Sequence, residues 1–230
     1  MTDAAKPRDD GSWLRDLILG GQDGLVNVLG IVLGVSAASH DVKVLLAAGL
    51  AATFAEGVSM GAVAWTSSRA QADHYEKERD RRLQQLRTSP EQTRRDLERI
   101  YGEKGFKGEL LEHIVATISA DQKIALRTLM NEDLGLEPSD DRTVTRSAII
   151  VGLSTIAGSI VPLIPFFVMP REASIWASIG LSAVALFFVG AYEAKTSVGD
   201  WRKKGLQMTA IGLGAALVGY LVGKLFGAAG

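Results

Sequence analysis

The chain has no cysteine. That excludes disulfides, thiolate metal centres and thiol nucleophiles, and it leaves the redox compartment open. Only three histidines are present, His40, His74 and His113. No Glu-x-x-His motif occurs, which argues against a ferritin-like di-iron site. Formal net charge is −1, and no basic patch with interleaved aromatics appears, so nucleic acid is not an expected partner. No G-x-x-x-x-G-K-[ST] phosphate loop is found. The nearest stretch, GYLVGK at 219–224, has the wrong spacing and lies in an apolar run. Residues 1–16 lack an apolar core, so no cleavable signal peptide is expected. Strand alternation and tandem repeats are also missing.

The chain does hold long apolar runs. Charge is concentrated in residues 68–146, which carry 15 Lys/Arg and 16 Asp/Glu. A bilayer crossing needs about 20 mainly apolar residues. Five segments qualify: 17–38, 44–66, 147–169, 173–192 and 206–223. Trp13, Leu14, Leu17 and Ile18 share one side of a short helix expected to lie at the interface before the first span. With the N-terminus in the cytosol, 22 of the 25 Lys/Arg fall in cytosolic pieces, leaving Lys43, Arg171 and Lys224 outside. The positive-inside rule therefore predicts N-terminus in and C-terminus out. The expected fold class is all-α, a polytopic membrane protein with five transmembrane helices and a cytosolic three-helix domain between spans two and three. Its parts are 1–66 (N-terminal segment and spans one and two), 67–146 (cytosolic helical domain) and 147–230 (spans three to five).

Inside the charged segment, TSPEQ breaks a helix and starts another: Ser89 suits the cap and Pro90 the first helical position. GEKGFKGE at 102–109 is a second break. A third helix is expected over Glu109–Asp133, with Leu110, Ile114, Ile118, Leu126 and Leu129 as its apolar stripe.

GVSMG at 57–61 matches the G-x-S-x-G of serine hydrolases. A nucleophile elbow requires a strand, a turn and a helix, with acid and histidine partners. Here the motif lies in a continuous apolar helix, so Ser59 reads as packing, and Gly57 and Gly61 as sites of close helix approach. Asp23 and Glu56 both fall at membrane depth, where a carboxylate costs about 3 kcal/mol and marks function by default. Asp23 could otherwise cap the first span. Glu56 and Met60 share a helix face, and Asp23, Asn27, Gly30 and Gly34 form a polar and small-residue stripe expected to meet that face along a narrow path. Carboxylate oxygens with a thioether suit a borderline divalent transition ion better than Mg²⁺ or Ca²⁺. Glu193 and Lys195, at the cytosolic end of span four, are either interfacial anchors or proton or gating groups. Pro162 and Pro165 predict a bend in span three.

DGLVNVLGIVLGVSAA (23–38), AEGVSMGAVAWTSSRAQADHYEKE (55–78), PLIPFF (162–167) and GAYEAKTSVGDWRKKGLQM (190–208) together resemble the vacuolar iron transporter family. The resemblance covers nearly all of the chain past residue 17. It implies a homodimer with five spans per chain and a cytosolic three-helix metal-binding domain, exchanging cytosolic Fe²⁺ for protons. It also implies that Asp23 and Met60 line the ion path. The cytosolic domain departs from the family pattern. Positions that carry Glu in the family are Gln85, Thr88, Asp96 and Arg99 here, and the Met-Met-x-x-Glu stretch becomes Leu129, Met130 and Asp133. Asp96, Met130 and Asp133 are the surviving metal-ligand candidates, with Glu76, Asp80, Glu109, Glu112 and His113 nearby.

The expected activity is transport, not catalysis. Fe²⁺, or Mn²⁺ and similar ions, would leave the cytosol in exchange for protons, through a path lined by Asp23, Asn27, Glu56 and Met60. No permanently bound cofactor is expected. Desolvation disfavours a charged carboxylate and a bound cation favours it, so metal and proton compete for the same groups. The alternative is a non-transporting membrane scaffold whose cytosolic domain binds a partner. The membrane would be a bacterial inner membrane or that of an organelle.

Overall fold

The computed structural model describes residues 12–138, 140–196 and 199–227. Most of the stretch read for a signal peptide, residues 1–11, lies outside these. The described residues are helical and contain no strand. In order they form α1 (Ser12–Ala38), α2 (Val42–Thr88), α3 (Pro90–Glu103), α4 (Gly108–Ser119), α5 (Gln122–Thr128), a π-helical turn (Leu129–Asp133), α6 (Asp141–Ile160), a 3₁₀ turn (Val161–Leu163), α7 (Ile164–Val168), α8 (Arg171–Thr196) and α9 (Trp201–Gly227). Five helical stretches among the described residues are long and apolar enough to cross a membrane: Trp13–Ala38, Val42–Thr88, Asp141–Val168, Arg171–Lys195 and Trp201–Gly227. The chain divides into two compact units. One takes the described residues of Met1–Trp65 and Thr145–Gly230; the other is Thr66–Val144.

In the first unit, glycines let backbones touch. A Cβ on Gly152 of α6 would lie 2.9 Å from the Gly57 carbonyl oxygen of α2, and one on Gly61 would lie 3.2 Å from the Ala148 oxygen. On its α1 side, α6 meets Gly24 with the Thr155 carbonyl and Gly21 with Gly158. Helix α6 thus contacts both α1 and α2 at backbone distance, as small-residue packing in lipid allows. Gly57 and Gly61 are packing positions, while Ser59 between them is exposed. Gly30 and Gly34 do not meet α2 as expected. They pack on α9, where a Cβ on Gly34 would come 2.9 Å from the Gly219 oxygen. Val28, Val32, Leu45, Leu163 and Phe166 form one core cluster, and Leu29, Leu33 and Ala216 another.

Among the described residues no separate helix precedes span one. Helix α1 is continuous from Ser12, and Leu14, Leu17 and Ile18 line a groove shared with α8 and α9. The stripe is shared between that groove and the outer surface, with Trp13 38% and Leu17 44% exposed. Span three does break at its prolines, into the 3₁₀ turn and α7. Buried serines one turn apart on α8 serve the break: Ser178 Oγ donates to the Pro162 carbonyl at 2.7 Å, and Ser174 Oγ to the Pro165 carbonyl at 3.0 Å.

In the second unit, Pro90 opens α3. The Ser89 carbonyl accepts from the Gln92 and Thr93 amides at 3.0 and 3.2 Å, while its side chain makes no cap bond. Gly105 and Gly108 take positive φ, +96° and +60°, at the second break, a conformation open to glycine. The helix expected over Glu109–Asp133 is interrupted. Asp121 caps a new helix, accepting from the Lys123 and Ile124 amides, a signal present in the Ala-Asp-Gln-Lys sequence. The core is Leu97, Ile100, Val115 and Leu129. Leu110, expected in the stripe, is 57% exposed, and Leu111 packs on that core instead.

Two outcomes follow from this packing. Gly152→Ala should lower stability by about 1–3 kcal/mol, the usual cost of overpacking, seen as an earlier unfolding midpoint in a detergent titration. Gly180→Ala, where a Cβ meets nothing within 4 Å, should leave the midpoint unchanged or raise it. Asp140 caps α6 by accepting from the Thr143 hydroxyl at 2.5 Å and its amide at 2.8 Å. Those bonds, the hydroxyl first, hold the Asp140 carboxyl below its ordinary value of 3.8. Its contribution is complete above that ordinary value and disappears as pH falls through the lowered one. Asp140→Ala should therefore melt below wild type at neutral pH, and the gap should close in strong acid.

Candidate transport site

Helices α1 and α2 form a hairpin joined by residues 39–41. Asp23 lies 15 residues before Ala38, the end of α1. Glu56 lies 14 residues after Val42, the start of α2. At 1.5 Å per residue, both sit about 21–22 Å from the turn, at one depth. The structure brings them together. Asn27 Nδ2 donates to Glu56 Oε1, and the Asp23 carboxyl is close enough to interact with Glu56. Asp23 stands well inside α1 and therefore does not cap it. Met60 is one turn further along α2 and half-buried; Asp23 and Glu56 are half-buried too, while Asn27 is exposed.

One chain thus supplies two carboxyl groups and an amide in contact, with a thioether one turn away. Among the described residues no group of three or more His, Asp or Glu side chains is placed to hold a metal ion. Two facing carboxylates repel, and a cation or a shared proton between them relieves that repulsion.

The second unit also brings together residues singled out from the sequence, but around a cation of its own. Arg82 reaches Asp96 at 3.2 Å and pairs with Asp133, and Arg99 pairs with the other Asp133 oxygen. Gln85 and Gln92 donate to Asp96 at 2.7 and 3.0 Å. The Arg82, Asp96 and Asp133 side chains are only 14–16% exposed. Met130 is buried in the π-helical turn. Thr88 turns back to the Gln84 carbonyl at 2.9 Å. Asp96 and Asp133 therefore converge on the Arg82 guanidinium, with Arg99 on the other side of Asp133. Sequence reasoning flagged Arg99 as a departure and missed Arg82, whose spacing to Asp133 crosses 51 residues.

Glu193 accepts from Lys204 at 2.8 Å, and Lys195 lines the groove between α1, α8 and α9.

The profile of the VIT family matches residues 14–224. The chain is 28% identical over 215 residues to Vacuolar iron transporter 1 of Oryza sativa subsp. japonica, covering 93% of this chain and 85% of that protein. It is 24% identical over 216 residues to Vacuolar iron transporter 1 of Arabidopsis thaliana, covering 94% and 86%. Protein CCC1 of Saccharomyces cerevisiae is 26% identical over 228 residues, covering 95% of this chain and 70% of that protein.

Breaking the arginine cluster should be costly, because removing one partner leaves poorly solvated carboxylates uncompensated. Arg82→Met should lower stability by about 3 kcal/mol in chemical denaturation. Arg94→Met, which removes a solvent-exposed pair with Glu98, should leave the midpoint unchanged.

Proposed function

The chain belongs to the VIT family, a family of membrane transporters and not of enzymes, and from that premise we propose that it exports Fe²⁺ from the cytosol in exchange for protons. The observation that carries the reading is the meeting of Asp23, Asn27 and Glu56 at one membrane depth. The names of the rice and Arabidopsis relatives support iron as the cargo. Mn²⁺ fits the same ligand set, since mixed oxygen and sulfur donors discriminate weakly among such ions.

The Asn27 amide donates to one Glu56 oxygen. A cation entering from the cytosol displaces it, takes Asp23 and Glu56 as ligands, and expels any proton they share. Met60, one turn nearer the cytosol on α2, adds a thioether at the entrance. Protons arriving from the far side neutralise the carboxylates and release the metal. Exchange then follows from charge, without ATP.

A single chain leaves the site incomplete. Asn27 is exposed at membrane depth, where facing lipid is unfavourable for a polar group. A second copy covering this face would shelter Asn27 and double the ligand set, so the transporter works as a homodimer. The charge distribution of the loops supports a cytosolic N-terminus and a cytosolic Thr66–Val144 unit, in an organelle membrane or a bacterial inner membrane. Asp96, Met130 and Asp133 carry no metal in this proposal, because arginine already neutralises the two carboxylates. That unit would be a fixed structural insert.

The test is anaerobic Fe²⁺ uptake into proteoliposomes with the interior held acidic. Wild type should show gradient-driven uptake, and Asp23→Ala or Glu56→Gln should reduce it at least tenfold, with the fold intact by size exclusion. Uptake indifferent to the gradient would indicate a pore. No uptake of Fe²⁺ or Mn²⁺ would favour the scaffold.

A further inference from the structure

Away from the transport pair, α1, α8 and α9 enclose a groove of about 730 Å³, within the range of about 300–1,000 Å³ typical of small-molecule sites. Leu14 and Ile18 of α1 and Phe188 of α8 form its apolar wall. Tyr192, Lys195 and Trp201 stand toward the connection between α8 and α9. Phe188, Tyr192 and Lys195 follow one another at i, i+4 and i+7 along one helix face. Seven residues of helix give the groove a depth of about 10 Å below Lys195.

Among the described residues the wall carries a single charge: Lys195 is the one ionisable side chain lining the groove apart from the Tyr192 phenol, and it has no ion-pair partner among them. The nearest carboxylate in sequence, Glu193, is held by Lys204. Phe188 and Tyr192 are 65% and 50% exposed, so the groove is open, and Trp201 packs edge-on against Phe187 at 6.1 Å between ring centroids. Aromatic rings with polar tips belong at the boundary of a bilayer, and a lysine with an apolar stem places its ammonium at the same level.

This groove is also separate from the transport pair. Leu14 and Asp23 are nine residues apart on α1, as are Ile18 and Asn27. Nine residues make two and a half turns, which puts each pair on opposite faces of the helix. A copy of the chain covering Asn27 would leave the groove facing lipid.

We propose that the groove holds an acyl chain of an anionic phospholipid, with the lipid phosphate at Lys195. A zwitterionic lipid could fill the apolar wall equally well, but its own cation offsets the attraction of its phosphate to an unpaired lysine. Charge complementarity therefore selects the anionic lipid. The site does not depend on transport being the function. In the orientation proposed above, it draws on the cytosolic leaflet, where anionic lipids concentrate.

The experiment is native mass spectrometry of the purified full-length protein with phosphatidylglycerol or phosphatidylcholine of identical chains. Wild type should retain phosphatidylglycerol preferentially. Lys195→Gln should cut that preference about fivefold, the effect of one lysine at a membrane surface. Lys195→Arg should restore it, and Lys203→Gln, exposed at the same end but outside the groove, should leave it unchanged. Ile18→Trp should displace the lipid with the lysine intact. Equal retention of the two lipids, or an undiminished preference in Lys195→Gln, would overturn the proposal. So would equal competition by soluble glycerophosphoglycerol, which would make this a phosphate site without an acyl chain. Absence of Fe²⁺ flux in the wild type, with its lipid preference preserved, would count against the transport mechanism alone.

Discussion

Backbone contact across glycine is the constraint on which the membrane unit depends. In lipid, apolar side chains gain little by leaving the solvent, and helices are held by close packing instead. Helix α6 provides that packing on two sides, through Gly152 against Gly57 and through Gly158 against Gly21. Because α1 and α2 both rest on one helix at backbone distance, their facing sides have little room to separate. The Asn27–Glu56 bond spans what remains. A side chain added at Gly152 or Gly158 of α6 would act on the carboxylates by moving the helices that carry them.

Much of this was legible in the sequence, because hydropathy and breaker residues report local physics. The five spans, the proline break in span three and the glycine signature at 102–109 all depend on what a short stretch can do by itself. The carboxylates were legible for a different reason: Glu56 lies too deep in its span for a bland explanation, while Asp23 had capping of the first span as its alternative. Partner choice was less accessible. Gly30 and Gly34 sit on the same stripe as Asp23, and periodicity alone does not say that α9 takes the lower half and α2 the upper. The apolar stripe at Leu14 and Ile18 had the same ambiguity, since a bilayer surface and a neighbouring helix satisfy it equally. In the second unit, Leu111 rather than Leu110 faces the core because α4 carries its own stripe of Leu111, Val115 and Ile118, and the restart at Asp121 frees that stripe from the phase of Leu129.

The second unit shows how an acidic cluster can become self-contained. Asp96 and Asp133 come from separate elements, and convergence of that kind normally needs a cation to be tolerable. Arg82 and Arg99 provide one covalently. Guanidinium matches two carboxylates at once and never loses its charge, so the cluster stays neutralised at any metal concentration. Identity between the chain and its relatives, at 24–28% for the plant proteins quoted, does not reveal such an exchange. Only the pairing of Arg82 with residues far away in the chain does.

The equal depth of Asp23 and Glu56 makes the α1–α2 hairpin a ruler. Both are positioned by counting residues from a three-residue turn. A residue inserted in either helix between turn and carboxylate would raise that group by about 1.5 Å and rotate it by about 100°. The same insertion within the turn would leave both counts intact. The turn is thus free to change length in a way that the two arms are not. Equal counts from each carboxylate to the turn, more than the total separation between them, would identify a working copy of this hairpin.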